Sequence, residues 1–148
     1  MDLTYREATA DDAAGIAILL GELGYPAEAE EIPGRLAALA GQRATIVMVA
    51  VHAEAVVGVI TAMVFPALHS PEPVAWITSM VVSSEHRSHG IGSALVERIE
   101  KWALGHGAAR VSLTSALRRE NAHAFYVTKQ GYEKTGLRFS KVLEPDRP

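Results

Sequence analysis

The sequence of 148 residues contains no cysteine. This absence excludes a disulfide framework, a thiolate nucleophile and a metal site built on cysteine sulfur. No apolar run reaches the length of a membrane helix, and nothing near the N-terminus resembles a signal peptide. Positive charge is not in excess either, because the formal net charge is −3 at pH 7. We therefore expect a cytoplasmic protein with neither a nucleic-acid nor a membrane partner.

Histidines are present, but they do not have the spacing of metal ligands. His52, His106 and His123 are scattered along the chain, so no metal site is predicted. Hydrophobic residues make up 49% of the sequence, which is enough for a sizeable core. The length is that of one domain. Since we see no internal repeat or linker, a single domain spanning residues 1–148 is the interpretation.

Periodicity predicts a mixed α/β protein with the element order βααβββαβαββ. The predicted helices cover residues 11–23, 28–40, about 91–104 and 121–130. The predicted strands cover residues 3–8, 45–51, 56–65, 74–82 and 110–114, and a last hairpin has strands 132–135 and 137–143 around Gly136. Unbroken alternation in the strand 74–82 places Val74, Trp76, Met80 and Val82 on one face, and Ala75, Ile77 and Val81 on the other.

A glycine-bearing turn joins the strand 74–82 to the third helix. The first N–H groups of a helix have no partner within the helix, and the helix dipole makes that end positive. Gly90 and Gly92 have no Cβ and let an anion approach the backbone, while Arg87 adds a full positive charge. These features indicate a phosphate or pyrophosphate cradle. The alternative is a tight strand-to-helix turn without a ligand. The turn matches neither the Walker A loop nor the dinucleotide fingerprint.

Two motifs make the chain resemble the GNAT superfamily of N-acetyltransferases. The run Arg87-Ser-His-Gly-Ile-Gly92 matches that family's Arg/Gln-x-x-Gly-x-Gly/Ala pyrophosphate loop, which follows its fourth strand. The run Asn121-Ala-His-Ala-Phe-Tyr-Val-Thr-Lys-Gln-Gly-Tyr132 is similar to its second signature. The element order agrees along essentially the whole chain. The chain departs from many relatives at Ser88 and His89, where they carry a glycine and a basic residue.

The resemblance implies a fold and a reaction. The fold is a mixed, mostly antiparallel sheet of six to seven strands flanked by helices. The reaction is transfer of an acetyl group from acetyl-coenzyme A to a primary amine of a small molecule, peptide or protein. A catalytically silent acyl-coenzyme A-binding regulatory module is the alternative within the same fold. Nucleotide binding through Gly90 and Gly92 is a third interpretation.

The resemblance also implies roles for individual residues. Tyr126 is expected to be the general acid that protonates the departing thiolate, and the backbone N–H of Val81 to stabilise the oxyanion. The alternative for Tyr126 is a core tyrosine. The cofactor-binding residues that the resemblance implies are Met80, Val81, Val82, Arg87, Ser88, His89, Gly90, Ile91, Gly92, Ser93, Asn121, Phe125 and Tyr126.

The general base and the acceptor amine are less defined. The strand 74–82 carries no carboxylate, which leaves Glu72, His69 and Ser79 as nearby polar candidates, beside a water chain or an amine that arrives neutral. Glu22, Glu28, Glu30 and Glu31 cluster between the first two helices. They fit either a pocket for a cationic amine or a solvated helix face. The resemblance further leads us to expect a homodimer.

Overall fold

The computed structural model describes residues 1–114 and 120–144, and the chain divides into two compact units, Met1–Leu113 and Thr114–Pro148. Whether these two units form one domain, as the sequence predicts for residues 1–148, depends on how they are joined. That single domain stays a prediction. The first unit contains the helices α1 (Ala13–Leu23), α2 (Ile32–Ala40) and α3 (Ile91–Gly105), and the strands β1 (Thr4–Glu7), β2 (Thr45–His52), β3 (Ala55–Phe65), β4 (Val74–Val82) and β5 (Val111–Leu113). The second unit contains α4 (Glu120–Ala124), which continues as a π-helical turn, Phe125–Lys129.

The five strands form one sheet in the order β1-β2-β3-β4-β5. Neighbouring strands are antiparallel except for the last pair, β4 and β5, which are parallel. The predicted fold class, a mixed α/β sheet that is mostly antiparallel and flanked by helices, is confirmed. The predicted strand number is too high, because the described residues contain five strands rather than six or seven.

Helices cover both faces of the sheet. One layer is built by α1 and α2, whose buried residues Ile16, Leu19 and Ile32 form a core cluster with the sheet. On the other face lies α3, whose Leu95 and Ile99 are fully buried. The sheet therefore has an apolar core on each side, as its continuous apolar strands predict.

The last hairpin accounts for the difference in strand number. Residues 131–144 contain neither helix nor strand. The alternation that suggested a strand is real, but a strand also needs a paired neighbour to be stable. Leu137 and Phe139, two of the apolar residues in this segment, are 65% and 88% exposed. The predicted strands 132–135 and 137–143 are therefore wrong.

A β-bulge interrupts β4 at Thr78. Ile77 lies opposite Ala62, but the next paired residue, Ser79, lies opposite Thr61, so Thr78 has no opposite residue of its own. One extra residue reverses the faces of everything that follows it in the strand. The predicted face assignment of β4 is therefore wrong. One face carries Ala75, Ile77, Met80 and Val82, and the other carries Val74, Trp76, Ser79 and Val81.

Candidate active site

The two strands at the end of the sheet, β4 and β5, are paired over only part of their length. Within the described residues β5 pairs with β4 at three positions, Ala75, Trp76 and Ile77. From Thr78 to Val82, β4 continues along an edge that no described strand covers. We call this part of β4 the open edge. Backbone N–H and C=O groups that point toward an uncovered edge are free to bind an extended ligand as an added strand would bind.

The register of β3 and β4 decides which residues turn their backbone groups toward the open edge. Ser83 donates its N–H to the carbonyl oxygen of Val57 at 2.8 Å. Hydrogen-bonded pairs alternate with non-bonded pairs along an antiparallel ladder, so the next bonded pair is Val81 with Val59. The backbone of Met80 and Val82 is consequently directed away from β3. The register thus favours Met80, rather than Val81 as expected from the sequence, as a donor to a ligand at the open edge.

The Val81 side chain also has a structural role. It is 4% exposed and packs in the core cluster with Ile16 and Leu19 of α1. Its backbone faces β3 and its side chain faces α1, so both are used within the fold.

The open edge is followed, after four residues, by the loop of residues 87–93, which we call the glycine loop. A short 3-10 turn, Ser84–His86, precedes it. Gly90 is the N-cap of α3 and has φ +77°, a left-handed conformation that favours glycine. Ser88 also has a positive φ, +69°, which is unusual for a residue with a side chain. The predicted turn and helix start are therefore present, and their backbone includes the left-handed conformations that anion-binding turns use.

The N-terminus of α3 presents backbone donors next to this turn. The first hydrogen bond of the helix runs from the N–H of Ala94 to the oxygen of Gly90, at 3.0 Å. The N–H groups of Ile91 and Gly92 precede that bond and point out of the helix end. A Cβ on Gly90 would meet no atom within 4 Å, so the space in front of the helix end is open to a ligand.

A second glycine, Gly58 in β3, determines how close α3 lies to the sheet. A Cβ at this position would lie 3.1 Å from the Ile91 side chain and 3.1 Å from the Leu95 side chain. Both side chains are almost fully buried, at 1% and 0% exposure. The first turn of α3 is therefore packed against the bare backbone of β3, which fixes the position of the glycine loop next to the open edge.

The second unit carries the tyrosine of the other motif. Tyr126 is 6% exposed and lies in the π-helical turn Phe125–Lys129. Its ring contacts Phe125 edge-on, with the centroids 5.3 Å apart, and lies 6.1 Å from the ring of Tyr132. Tyr132 donates its N–H to the carbonyl oxygen of Tyr126 at 2.9 Å. The side chain of Asn121, the remaining predicted residue of this motif, lies outside the described residues.

The predicted polar candidates have distinct surroundings. Glu72 and His69 are exposed between β3 and β4, and Ser79 is half-buried in β4. Glu31 contributes one oxygen to the N–H of Glu28 at 3.1 Å and the other to Arg35 at 2.8 Å. Its two oxygens are thus used in a helix cap and an ion pair. Within residues 1–114 and 120–144, no three His, Asp or Glu side chains converge as a metal site requires.

Sequence reasoning missed the role of Glu22. Its Oε1 accepts a hydrogen bond from the N–H of Ser84 at 2.9 Å, across 62 residues of chain. That hydrogen bond, aided by the positive charge of Arg87, holds the pKa of the Glu22 carboxyl below its ordinary value. The sequence shows Glu22 only as one of several acidic residues, and no local pattern indicates this partner.

Comparison with known proteins identifies the family. Residues 17–132 match the acetyltransferase (GNAT) family. The chain belongs to this family. A curated relative of the GNAT family, the uncharacterized N-acetyltransferase YhdJ of Bacillus subtilis (strain 168), is 39% identical over 57 residues. That match covers 38% of this chain and 40% of the relative.

Solved structures show the same GNAT fold. A GNAT family acetyltransferase from Staphylococcus aureus subsp. aureus USA300_TCH1516 superposes with a TM-score of 0.81 at 19% identity, covering 97% of this chain and 100% of that one. A transcriptional regulator from Bacillus halodurans C-125 gives a TM-score of 0.80 at 23% identity, covering 95% and 100%. At such identities the likeness concerns the fold. No helix in the described part of this GNAT chain is both long and apolar enough to cross a membrane.

Proposed function

We propose that this protein transfers an acetyl group from acetyl-coenzyme A to a primary amine of a small molecule, peptide or protein. The observation that carries the proposal is the juxtaposition, within the first unit, of the open edge of β4 and the glycine loop at the N-terminus of α3. One binds an extended chain through backbone groups, and the other binds an anion. Coenzyme A has both parts: a pantetheine arm with two amides and a pyrophosphate.

The residues in this unit fit the cosubstrate. The Met80 carbonyl oxygen and the Val82 backbone, which are directed to the open edge, would hydrogen-bond the pantetheine amides. The backbone N–H groups of residues 87–93 would hold the pyrophosphate, with Arg87 adding charge. Few side chains take part, so Ser88 and His89 in place of the relatives' glycine and basic residue would tune affinity.

The chemistry that we propose is direct transfer. The neutral amine attacks the thioester carbonyl carbon, and the C=O electrons move to oxygen as the C–N bond forms. The Met80 N–H donates to that oxyanion, as a preorganised backbone donor does. The C=O bond then re-forms as the C–S bond breaks, and the departing thiolate takes a proton from the Tyr126 hydroxyl, which regains one from solvent. The nitrogen gives its extra proton either to water or to a side-chain base. The candidate bases are Glu72, His69 and Ser79.

A binding experiment tests the glycine loop. Gly90→Ala adds one methyl group into open space but forces φ +77° on a residue with a Cβ, at a cost of ~1–2 kcal/mol. We expect the variant to bind coenzyme A at least ~5-fold more weakly in calorimetry, because the helix-end N–H groups shift. Gly34→Ala is the matched control, since this helical glycine in α2 also faces open space. Equal affinity in all three proteins would contradict the placement.

A turnover experiment separates the alternatives. The parent protein is incubated with acetyl-coenzyme A and a panel of primary amines, and free thiol is measured. The enzyme predicts turnover with at least one amine. A silent module of the same fold predicts tight binding of coenzyme A without turnover. A nucleotide-binding protein predicts that a nucleoside triphosphate binds more tightly than coenzyme A.

A further inference from the structure

Glu22 connects a helix to the turn that leads into the glycine loop. It lies on the last turn of α1, and its Oε1 accepts the Ser84 N–H at 2.9 Å. Ser84 is the first residue after Ser83, whose N–H is still bonded to the sheet through Val57. The carboxylate therefore acts at the point where the chain leaves β4.

The turn Ser84–His86 is held by contacts from different directions. Its backbone is closed by the His86 N–H, which donates to the oxygen of Ser83 at 2.9 Å. The His86 ring lies edge-on to that of His52 at the end of β2, with the centroids 5.9 Å apart. Glu22 adds the attachment to α1. The turn is thus fixed to both the sheet and a helix directly before the glycine loop begins.

The effect of the carboxylate is on position. Ser84 is exposed, so water could satisfy its N–H if Glu22 were absent. Water would not hold it in place, whereas α1 is a rigid support. Leu19 is 1% exposed, and a Cβ on Gly15 would lie only 2.8 Å from Val56. A carboxylate on the last turn of a helix also interacts unfavourably with the helix dipole, so this interaction gives α1 no stabilisation.

We propose that Glu22 is a positioning residue for cosubstrate binding: by holding Ser84 on α1, it sets where the glycine loop meets the pyrophosphate. This inference rests on the function proposed above. The lowered pKa of Glu22, caused first by the Ser84 hydrogen bond, shows that the carboxylate is ionised at neutral pH. The pyrophosphate end of the cosubstrate is the part that the attachment affects, since the open edge is fixed by β3.

Two substitutions of Glu22 separate the effect of its side-chain length from the effect of its charge. Glu22→Asp keeps the charge but shortens the side chain by one methylene, so that it no longer reaches Ser84. Glu22→Gln keeps the reach and an accepting oxygen but loses the charge. Glu85→Gln, in the same turn, controls for the loss of one negative charge near the glycine loop. Each purified variant is first checked for parent-like urea unfolding.

The readouts are the dissociation constant of acetyl-coenzyme A and the kcat/KM values for acetyl-coenzyme A and S-acetylpantetheine, which lacks the pyrophosphate. We expect Glu22→Asp to weaken acetyl-coenzyme A binding ~3- to 10-fold, the range of one net hydrogen bond. Glu22→Gln and Glu85→Gln should stay within about twofold of the parent. The kcat/KM value for S-acetylpantetheine should not change in any variant.

Each other outcome overturns the inference in a distinct way. Parent-like binding by Glu22→Asp shows that the attachment does not matter. Weak binding by Glu22→Gln but not by Glu22→Asp shows that charge acts instead of position. An equal loss with S-acetylpantetheine shows a general structural role. A parent that does not bind acetyl-coenzyme A overturns the proposed function, and this inference with it; a parent that binds, beside a Glu22→Asp variant that binds equally well, overturns only this inference.

Discussion

Tyr126 is the single residue on which the proposed chemistry depends most. Its ring is buried, so Tyr126→Phe keeps the packing and removes only the hydroxyl. Because general acid catalysis contributes ~10²–10⁴-fold, the single-turnover rate should fall by at least ~10²-fold. The dissociation constant of acetyl-coenzyme A should change little, since backbone groups hold most of it. The measurement is a rapid-quench single turnover, which avoids a masking product-release step.

A neighbouring tyrosine provides the matched control for this prediction. Tyr132 lies in the same unit, with its ring 6.1 Å from that of Tyr126. Tyr132→Phe loses the same hydroxyl from a position with no proposed chemical role, and its single-turnover rate should equal that of the parent. If Tyr126→Phe also reacts at the parent's rate, Tyr126 is a core residue and another group protonates the thiolate.

Single residues also show where sequence reasoning stops. Gly90 could be assigned a special backbone conformation, because glycine readily adopts the φ of +77° found there. Ser88 could not, since serine has no such preference and its φ of +69° is imposed by the surrounding turn. The contact between Glu22 and Ser84 spans 62 residues, and only the folded chain brings the two together.

At the scale of elements, the packing of α3 on β3 positions the glycine loop. Gly58→Ala would place a Cβ 3.1 Å from the side chains of Ile91 and Leu95. Overpacking of this kind costs ~1–3 kcal/mol, and here it should also displace the first turn of α3. We expect a lower free energy of unfolding in urea together with weaker coenzyme A binding in calorimetry.

The control for this prediction weakens α3 without displacing its N-terminus. Ile99 is fully buried in the middle of the helix, and Ile99→Val costs ~0.5–1.5 kcal/mol by leaving a small cavity. Its coenzyme A affinity should stay at the parent's value. If Gly58→Ala and Ile99→Val both lose coenzyme A affinity in proportion to their loss of stability, the close packing of α3 on Gly58 has no particular role in binding.

Most helices and strands could be located from the sequence because their periodicity is strong. The predicted strand 74–82 matches β4 at both ends. Its faces were assigned wrongly because alternation assumes a regular ladder, whereas the bulge at Thr78 arises from pairing with β3. The prediction of the last hairpin is wrong for a related reason. Alternation shows that a segment could form a strand, but whether it pairs depends on the rest of the chain.

At the scale of the whole molecule, an ion pair between the buried Asp12 and the exposed Arg6 makes stability depend on pH. Asp12 is 5% exposed, and both of its oxygens accept hydrogen bonds from the Arg6 guanidinium at 2.8 Å. These bonds hold the pKa of Asp12 below its ordinary value of 3.8. The stabilisation is therefore complete above that ordinary value, and it is lost as the pH falls through the lower pKa of the folded state.

The corresponding variant is Asp12→Asn. At pH 7 its free energy of unfolding should be lower than the parent's by about 2 kcal/mol, between the cost of a lost cap and that of a broken buried pair. The difference should shrink as the pH is lowered below ~4, because the parent loses the same interaction. Urea unfolding at several pH values measures it, with Asp11→Asn as an exposed neighbour for comparison. A difference that does not vary with pH would exclude the ion pair as its source.

Association of whole chains is a further prediction, carried over from the resemblance to the family. Leu137, Phe139, Val142 and Leu143 are exposed by 65%, 88%, 88% and 83%, and apolar residues clustered at a surface are typical of an interface. We expect light scattering at micromolar concentration to give twice the 15.8 kDa mass of one chain. Phe139→Lys should shift the mass toward one chain, and Val127→Lys, in the same unit, should not. A parent mass of 15.8 kDa would reject the dimer.

Because of the bulge at Thr78, substitutions and deletions in β4 have different consequences as related sequences diverge. Replacing a side chain in β4 changes local packing but leaves the direction of every backbone group unchanged. Deleting Thr78 itself would remove the bulge and leave the later pairs unchanged. Deleting Met80 with the bulge in place would instead move Val81 opposite Ile60 and turn its backbone toward the open edge. A site made of backbone amides can therefore persist through extensive substitution, as long as the number of residues between the bulge and the glycine loop stays constant.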